Sequence, residues 1–324
     1  MRIIETLLES NEPLVRLKSY RKLLNYNYED KEVRDLTKNL KKTSTVAKQL
    51  FAYAPDDVST NKLHVYKKWQ GVHWILAILA DLEYPPGDHS LIPSRDLELE
   101  WLFSKDRWGR KKTIEGRKRF CASQEGNGLF SILKLGLDDD GAASNPLVER
   151  LTKYQWADGG WNCDIKPSAM NSSYHESLIP MRALNLYSQM KHDPKVKIAV
   201  NRAAEVFLKR ELYMKEGTSK IIENNWIKLH YPPYWHYNIL TALKVMAESG
   251  KINNSHCNSA LDLLESKRLA DGGFPAEMKY YTLNIKSNYS PVDWGGINKH
   301  KMNEWVTIDA LYALKEAARI DIDY

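Results

Sequence analysis

The sequence is poor in the residues that staple, interrupt or span. Its three cysteines, Cys121, Cys163 and Cys257, are an odd and widely spaced set. That excludes a disulfide framework and reads as reduced thiols. With 16 glycines and 13 prolines in 324 residues, the chain is neither collagen-like nor of low complexity. No apolar run approaches the ~20 residues needed to cross a bilayer, and the first eleven residues carry Glu5 and Glu9 where a signal peptide would be apolar. A cytoplasmic protein without a transmembrane segment is expected. No sign of charge dominates, since 47 basic against 41 acidic residues leave a net +6. The densest basic run, Lys38 to Lys42, lies in an amphipathic segment without interleaved aromatics, which reads as a solvated helix face and gives no reason to expect nucleic acid as a partner.

Period-two alternation is also missing, so a sheet protein is not expected. Helical periodicity takes its place. Leu14, Leu17, Tyr20 and Leu24 keep helical spacing, with Pro13 suited to a first turn and Asp30 to a cap. The breaker-rich stretch Ala54-Pro55-Asp56-Asp57 and Ser59-Thr60-Asn61 separates an N-terminal helical extension, residues 1–60, from a main body, residues 61–324.

In the main body apolar helices alternate with shorter amphipathic ones. The apolar helices end in similar phrases: Ala77-Ile78-Leu79, Ser131-Ile132-Leu133, Arg182-Ala183-Leu184, Thr241-Ala242-Leu243 and Asp309-Ala310-Leu311. Their last leucines are 54, 51, 59 and 68 residues apart. A helix-pair repeat of this kind must stack its apolar faces on its neighbours, as an open superhelix or a closed ring. Two glycine turns, Asp158-Gly159-Gly160-Trp161 and Asp271-Gly272-Gly273-Phe274, follow amphipathic segments and lie 113 residues apart.

The stretch from Gln155 to Trp161 reads Gln-x-x-x-Gly-x-Trp. It resembles the QW motif of squalene-hopene and oxidosqualene cyclases, in which the glutamine ties a helix end and the tryptophan stacks beneath it. The second turn has Arg268 and Phe274 at these places, and Asp293-Trp294-Gly295-Gly296 is a more distant echo. Over residues 62–324, with Val65 to Pro86, Arg119 to Asp164 and Leu229 to Ala247 the most similar stretches, the chain resembles bacterial prenyltransferase or squalene-oxidase repeat proteins of the terpenoid cyclase and protein prenyltransferase superfamily. The resemblance implies an all-α fold, an (α/α)5-6 toroid with inner and outer rings of helices, and chemistry in its central cavity. A six-pair ring would need the N-terminal segment to supply one pair. Such a label names a fold and leaves the reaction open.

In that family the inner helices point their N-terminal ends at the cavity mouth. Counting back nine, eight or seven residues from the repeat leucines reaches Gln70, Gln124 and His175, then Glu176, Trp235 and Asn303, then Ser177, His236 and Glu304. Capping explains Ser173, Asn303 and Gln124, but not two histidines, two glutamates and several tryptophans at one end of apolar helices. His175, Glu176, His236 and Glu304 are therefore the candidate catalytic groups, as acids, bases or their orienting partners. Trp69, Gln70, His73, Gln124, Tyr234, Trp235, Asn303 and Trp305 are the candidate substrate contacts. The aromatic segment from Leu229 to Tyr237 reads either as ordinary core or as pocket lining, the use favoured by its place ahead of an apolar helix, since tyrosine and tryptophan rings accommodate a prenyl chain, a sugar or a cationic intermediate.

Two family motifs depart here. Asp138-Asp139-Asp140 follows its apolar helix where the Asp-x-Asp-Asp acid of squalene cyclases precedes one, so it reads as a solvated turn. Ser173-Tyr174-His175-Glu176 is similar to the Tyr-His segment of prenyltransferase β subunits and Cys121 falls near their zinc-binding cysteine, whereas Arg119 stands where their aspartate would be. A modified Zn2+ site of Cys121, His175 and either His236 or Glu176 is one expectation, and a merely buried Cys121 the other. The functions that follow are an enzyme acting on an isoprenoid-like or other small molecule, a carbohydrate lyase or hydrolase, and a non-catalytic binding or scaffold toroid.

Overall fold

A computed structural model describes residues 2–284 and 288–322, and half the chain is helical. The N-terminal part folds as α1 (Arg2–Leu8), α2 (Pro13–Lys22), α3 (Lys31–Thr37), α4 (Leu40–Thr43) and α5 (Thr45–Phe51). Then come α6 (Val72–Asp81), α7 (Ile92–Phe103), α8 (Lys105–Gly109), α9 (Ala122–Lys134) and α10 (Ser144–Lys153). The last five are α11 (Tyr174–Lys191), α12 (Pro194–Leu208), α13 (Ile239–Glu248), α14 (Asn258–Glu265) and α15 (Glu304–Glu316). Strands are confined, among the described residues, to two short antiparallel pairs: β1 (Thr113–Ile114) with β2 (Arg117–Lys118), and β3 (Pro275–Ala276) with β4 (Asn298–Met302).

Six helices follow one another as neighbours: α2 packs on α15, α15 on α13, α13 on α11, α11 on α9, and α9 on α6. The first and last of these are linked by charge, because Lys18 of α2 lies 3.2 Å from Asp81 of α6. Amphipathic helices back them, α7 and α10 against α9, α12 against α11 and α14 against α13. Residues of α2 and α5 belong to the same hydrophobic core as those of the main body. The carboxylate of Glu12 joins the N-terminal helices, accepting from Leu14 N–H at the start of α2 and from Thr45 and Val46 N–H at the start of α5. One anion thus satisfies free donors of two helix N-termini.

The first glycine turn is built as its sequence predicts. Gln155 donates from Nε2 to the Gly159 carbonyl at 2.7 Å and to the Ala199 carbonyl of α12 at 2.8 Å. Trp161 is fully buried, with its indole donating to Leu151 O at the end of α10. Gly159 has φ +105° and a β-carbon there would meet Arg202 O at 2.1 Å, so only glycine fits. The second turn repeats the construction with other side chains: Arg268 donates to Gly272 O, and Phe274 is buried. The amides of Trp161 and Phe274 both donate to a hydroxyl four residues beyond the next helix's N-cap, Ser177 and Thr307.

Candidate functional site

Between α6, α9, α11 and α13 lies a narrow cavity that opens partly to solvent. Its sides carry Phe130, Leu178 and Val245. One end is roofed by the segment ahead of α13, through Tyr234, Trp235, His236 and Tyr237, together with Tyr174 and His175. Tyr234, with φ +50°, keeps that segment out of helical conformation, and Asn238 starts α13 by accepting from Thr241 N–H. The other end is closed by Asp81 and Arg182.

That closed end is a buried ionic cluster. Asp81 receives Lys244 at 2.7 Å, Arg182 at 2.8 Å, Lys18 at 3.2 Å and the Tyr231 hydroxyl at 3.2 Å. Lys18 and Lys244 also reach Asp309 of α15, at 2.8 and 3.0 Å, and Arg182 and Lys22 pair with Glu248. Burial opposes ionisation of Asp81, but Lys18, Lys244 and Arg182 together hold it well below the usual carboxylate range. It is a permanent anion and cannot donate a proton to an alkene.

At the roof the imidazoles are neutral. His175 accepts the Tyr237 amide on Nδ1 at 3.0 Å, and burial lowers its pKa. His236 is sandwiched between Trp235, at 4.1 Å, and Tyr280, at 3.3 Å. Burial, then His230, His175 and Lys68, push it down to about 2. A base that weak takes no proton near neutral pH, so His236 offers a flat, polar ring surface in place of an acid. Tyr234 is held by Trp69, whose ring stacks on it at 3.7 Å and whose indole donates to Tyr280 O.

The other expected contacts are divided among different places. Gln124 lies in the first turn of α9 and accepts from Arg107. His73, fully buried, pairs with Glu98 at 2.8 Å beside Tyr66 and Trp101. Gln70, Trp235 and His236 precede their helices, which begin at Val72 and Ile239. Counting from the leucines misplaces them because the N-caps Cys121, Ser173, Asn238 and Asn303 stand 12, 11, 5 and 8 residues before those leucines. Ser173 makes no side-chain cap, whereas Asn303 caps α15 through Val306 N–H. Glu304 does not face this cavity. With Asn303 and Trp305 it borders a separate groove shared with Glu12 and Asp293. Trp305 stacks on Tyr231.

The metal set expected from the sequence, Cys121 with His175 and either His236 or Glu176, differs from the group whose ligand atoms lie together. Among the described residues, the side chains able to share an ion are Cys121, Cys163 and Glu176, whose ligand atoms lie within 4.8 Å of one another. Neither His175 nor His236 joins them, since both belong to the cavity roof. Cys121 is the N-cap of α9, Glu176 sits in the first turn of α11, and the loop after Trp161 returns Cys163 to both. Glu176 is 7% exposed and accepts the Ser123 amide on Oε2 at 2.9 Å. Its pKa is raised by burial. The Cys163 thiol is pushed above the thiol range by its contact with Cys121, by burial and by Glu176. Asp138, in contrast, binds Ser144 at the start of α10 and Asp139 binds Arg95, the structural turn the sequence predicts.

Sequence reasoning did not find the role of Cys163 or the ionic cluster. The signal for the cluster was present in the apolar phrases, where Arg182, Lys244 and Asp309 interrupt otherwise hydrophobic helices. Comparison with protein-family models finds no match, and comparison with curated proteins finds none either. No described helix is long and apolar enough to cross a membrane.

Proposed function

We propose that the chain is a toroid of α/α helix pairs, with α2, α6, α9, α11, α13 and α15 as its inner ring, and that it is an enzyme acting on an isoprenoid-like or similarly sized apolar molecule in the central cavity. The neighbour order of the six helices and the two matching glycine turns support the ring. The observation that carries the functional reading is the lining of the cavity between them, where Phe130, Leu178, Tyr234, Trp235 and Val245 present aromatic and aliphatic side chains. A sugar would leave most of its hydroxyls unpaired against such walls, so an apolar ligand is favoured over a carbohydrate. The ionised Asp81 and its cations make a fixed polar end, and the neutral His175 and His236 give the roof hydrogen-bonding groups without charge. Cyclisation begun by alkene protonation is not favoured, because the carboxyl among the described lining residues, Asp81, is held ionised by its cations.

The test is to extract and identify small molecules that co-purify with the full chain, and to titrate it with farnesol, following tryptophan fluorescence. Binding by the wild type that is lost in Val245→Trp, a variant that fills the cavity, supports this reading. A co-purifying sugar, or no farnesol binding by a folded wild type, defeats it.

A further inference from the structure

Cys121, Cys163 and Glu176 come from three separate parts of the chain, and ordinary folding needs only partly explain their meeting. Glu176 accepts the Ser123 amide on one carboxylate oxygen and is also hydrogen-bonded to the Ser123 side chain and the Cys163 thiol. Nothing in helix capping brings two half-buried thiols beside it. All three cysteines are free, and the third, Cys257, is buried away from this group beneath α14. The N-terminal ends of α9 and α11 meet here, and their dipoles favour anionic ligands. The Lys111 ammonium acts on both Cys121 and Glu176 and offsets part of their charge.

We propose that Cys121, Cys163 and Glu176 form a binding site for a soft divalent cation of the zinc class. Two thiolates and one carboxylate are a zinc donor set, with sulfur at ~2.3 Å and oxygen at ~2.0–2.2 Å from the ion. Ligand atoms already within 4.8 Å need side-chain movements of only about an ångström to reach such a sphere. Three protein ligands leave a four-coordinate ion one open position, the mark of a catalytic site and not of a structural one. Tyr66, whose hydroxyl is hydrogen-bonded to Gln124, feels the charges of all three ligands and stands beside that site. On binding, each thiol loses its proton to solvent and no electron is transferred.

This site is independent of the ligand proposed for the central cavity, and its test uses metal alone. Metal-free, reduced full-length protein is titrated with cobalt(II), and sulfur-to-cobalt absorption in the near ultraviolet is recorded. One equivalent is expected to bind, with zinc displacing it. Cys121→Ser, Cys163→Ser and Glu176→Gln are each expected to weaken binding by more than about tenfold, the loss that even outer partners of a metal site commonly bring. Cys257→Ser, His175→Gln and His236→Gln are expected to leave it unchanged. In the unmodified protein, zinc is expected to protect Cys121 and Cys163 from alkylation, read by mass spectrometry, which needs no variant to fold. Absence of the thiolate band in the wild type, its persistence in Cys163→Ser, or alkylation of Cys163 unaffected by zinc would overturn the proposal. Failure here leaves the farnesol result standing, and failure there leaves this one.

Discussion

Gly126 of α9 and Pro180 of α11 stand so close that a β-carbon on the glycine would lie 2.7 Å from the proline nitrogen. The contact is backbone against backbone, and Pro180, inside its helix, presents no N–H at that place. It fixes the spacing of the two helices that carry Phe130, Leu178 and Arg182 into the cavity. Gly126→Ala should gain about 1 kcal/mol of helix propensity. A net loss of about 2 kcal/mol or more is nonetheless expected from the forced separation, measured by chemical denaturation. A stabilised variant would show that the helices have room to part.

Asp81→Asn is expected to destabilise the protein by about 3–5 kcal/mol, since it leaves Lys18, Lys244 and Arg182 buried with too little compensating charge. Lys18→Met should act in the same direction. Because Lys18 belongs to α2, its loss also tests whether the N-terminal helices are held to the main body by this cluster. The comparison is the exposed Lys38–Asp35 pair, whose removal should leave the unfolding midpoint where it was. Equal, small effects at both places would mean that the buried network contributes little.

Stability should begin to fall on acidification well before the carboxylates titrate. His230 is buried against the Pro232 carbonyl, Tyr280, His236 and His175, and burial lowers its pKa from 6.5 to about 4. Between those values the unfolded chain binds a proton that the folded chain refuses, so stability present above pH 6.5 is lost as the pH drops towards about 4. His236, lying beside Lys68 as well, acts in the same direction. Glu83 adds a second phase. Burial opposes its charge, but Lys22 and Lys134 bring it to about 2, so its contribution is lost from about pH 4.5 downwards. Denaturation across this range should show His230→Gln making the upper phase less steep, with the share of His236 remaining and the lower phase unchanged. An unchanged slope would place the proton elsewhere.

Gln155→Ala removes two hydrogen bonds, one to its own turn and one to α12, and is expected to cost about 2 kcal/mol. Arg268→Ala removes one bond at an exposed turn and should cost less. The order of the two unfolding midpoints is the measurement. A reversal would mean that the two glycine turns, alike in geometry, differ in what they hold together.

Much of the architecture could be read in the chain because it depends on local chemistry. Apolar runs of helical length, Pro13 and Pro194 at helix starts, and glycines where φ is positive act within a few residues of themselves. The turn from Gln155 to Trp161 was legible through its resemblance to the QW motif, although the second bond of Gln155, to Ala199 of α12, depends on a helix 44 residues away. The aromatic segment before α13 read as pocket lining or as ordinary core, and the fold uses it for both, with Tyr234, Trp235, His236 and Tyr237 on the cavity and His230 and Tyr231 buried.

What the tertiary structure decided was which distant side chains meet. A drifting repeat tells that helices recur but not how far each begins before its leucine, so Gln70, Trp235 and His236 fall outside helices that the count placed them in. It also cannot tell that Glu304 faces a different groove from His175, or that a loop carries Cys163 back to Cys121 and Glu176. Nor does any local preference bring Lys18 to Asp81 across 63 residues. Burying charges costs desolvation, which is offset only when every one of them meets its partners at hydrogen-bonding distance, and that arrangement exists only in the assembled fold.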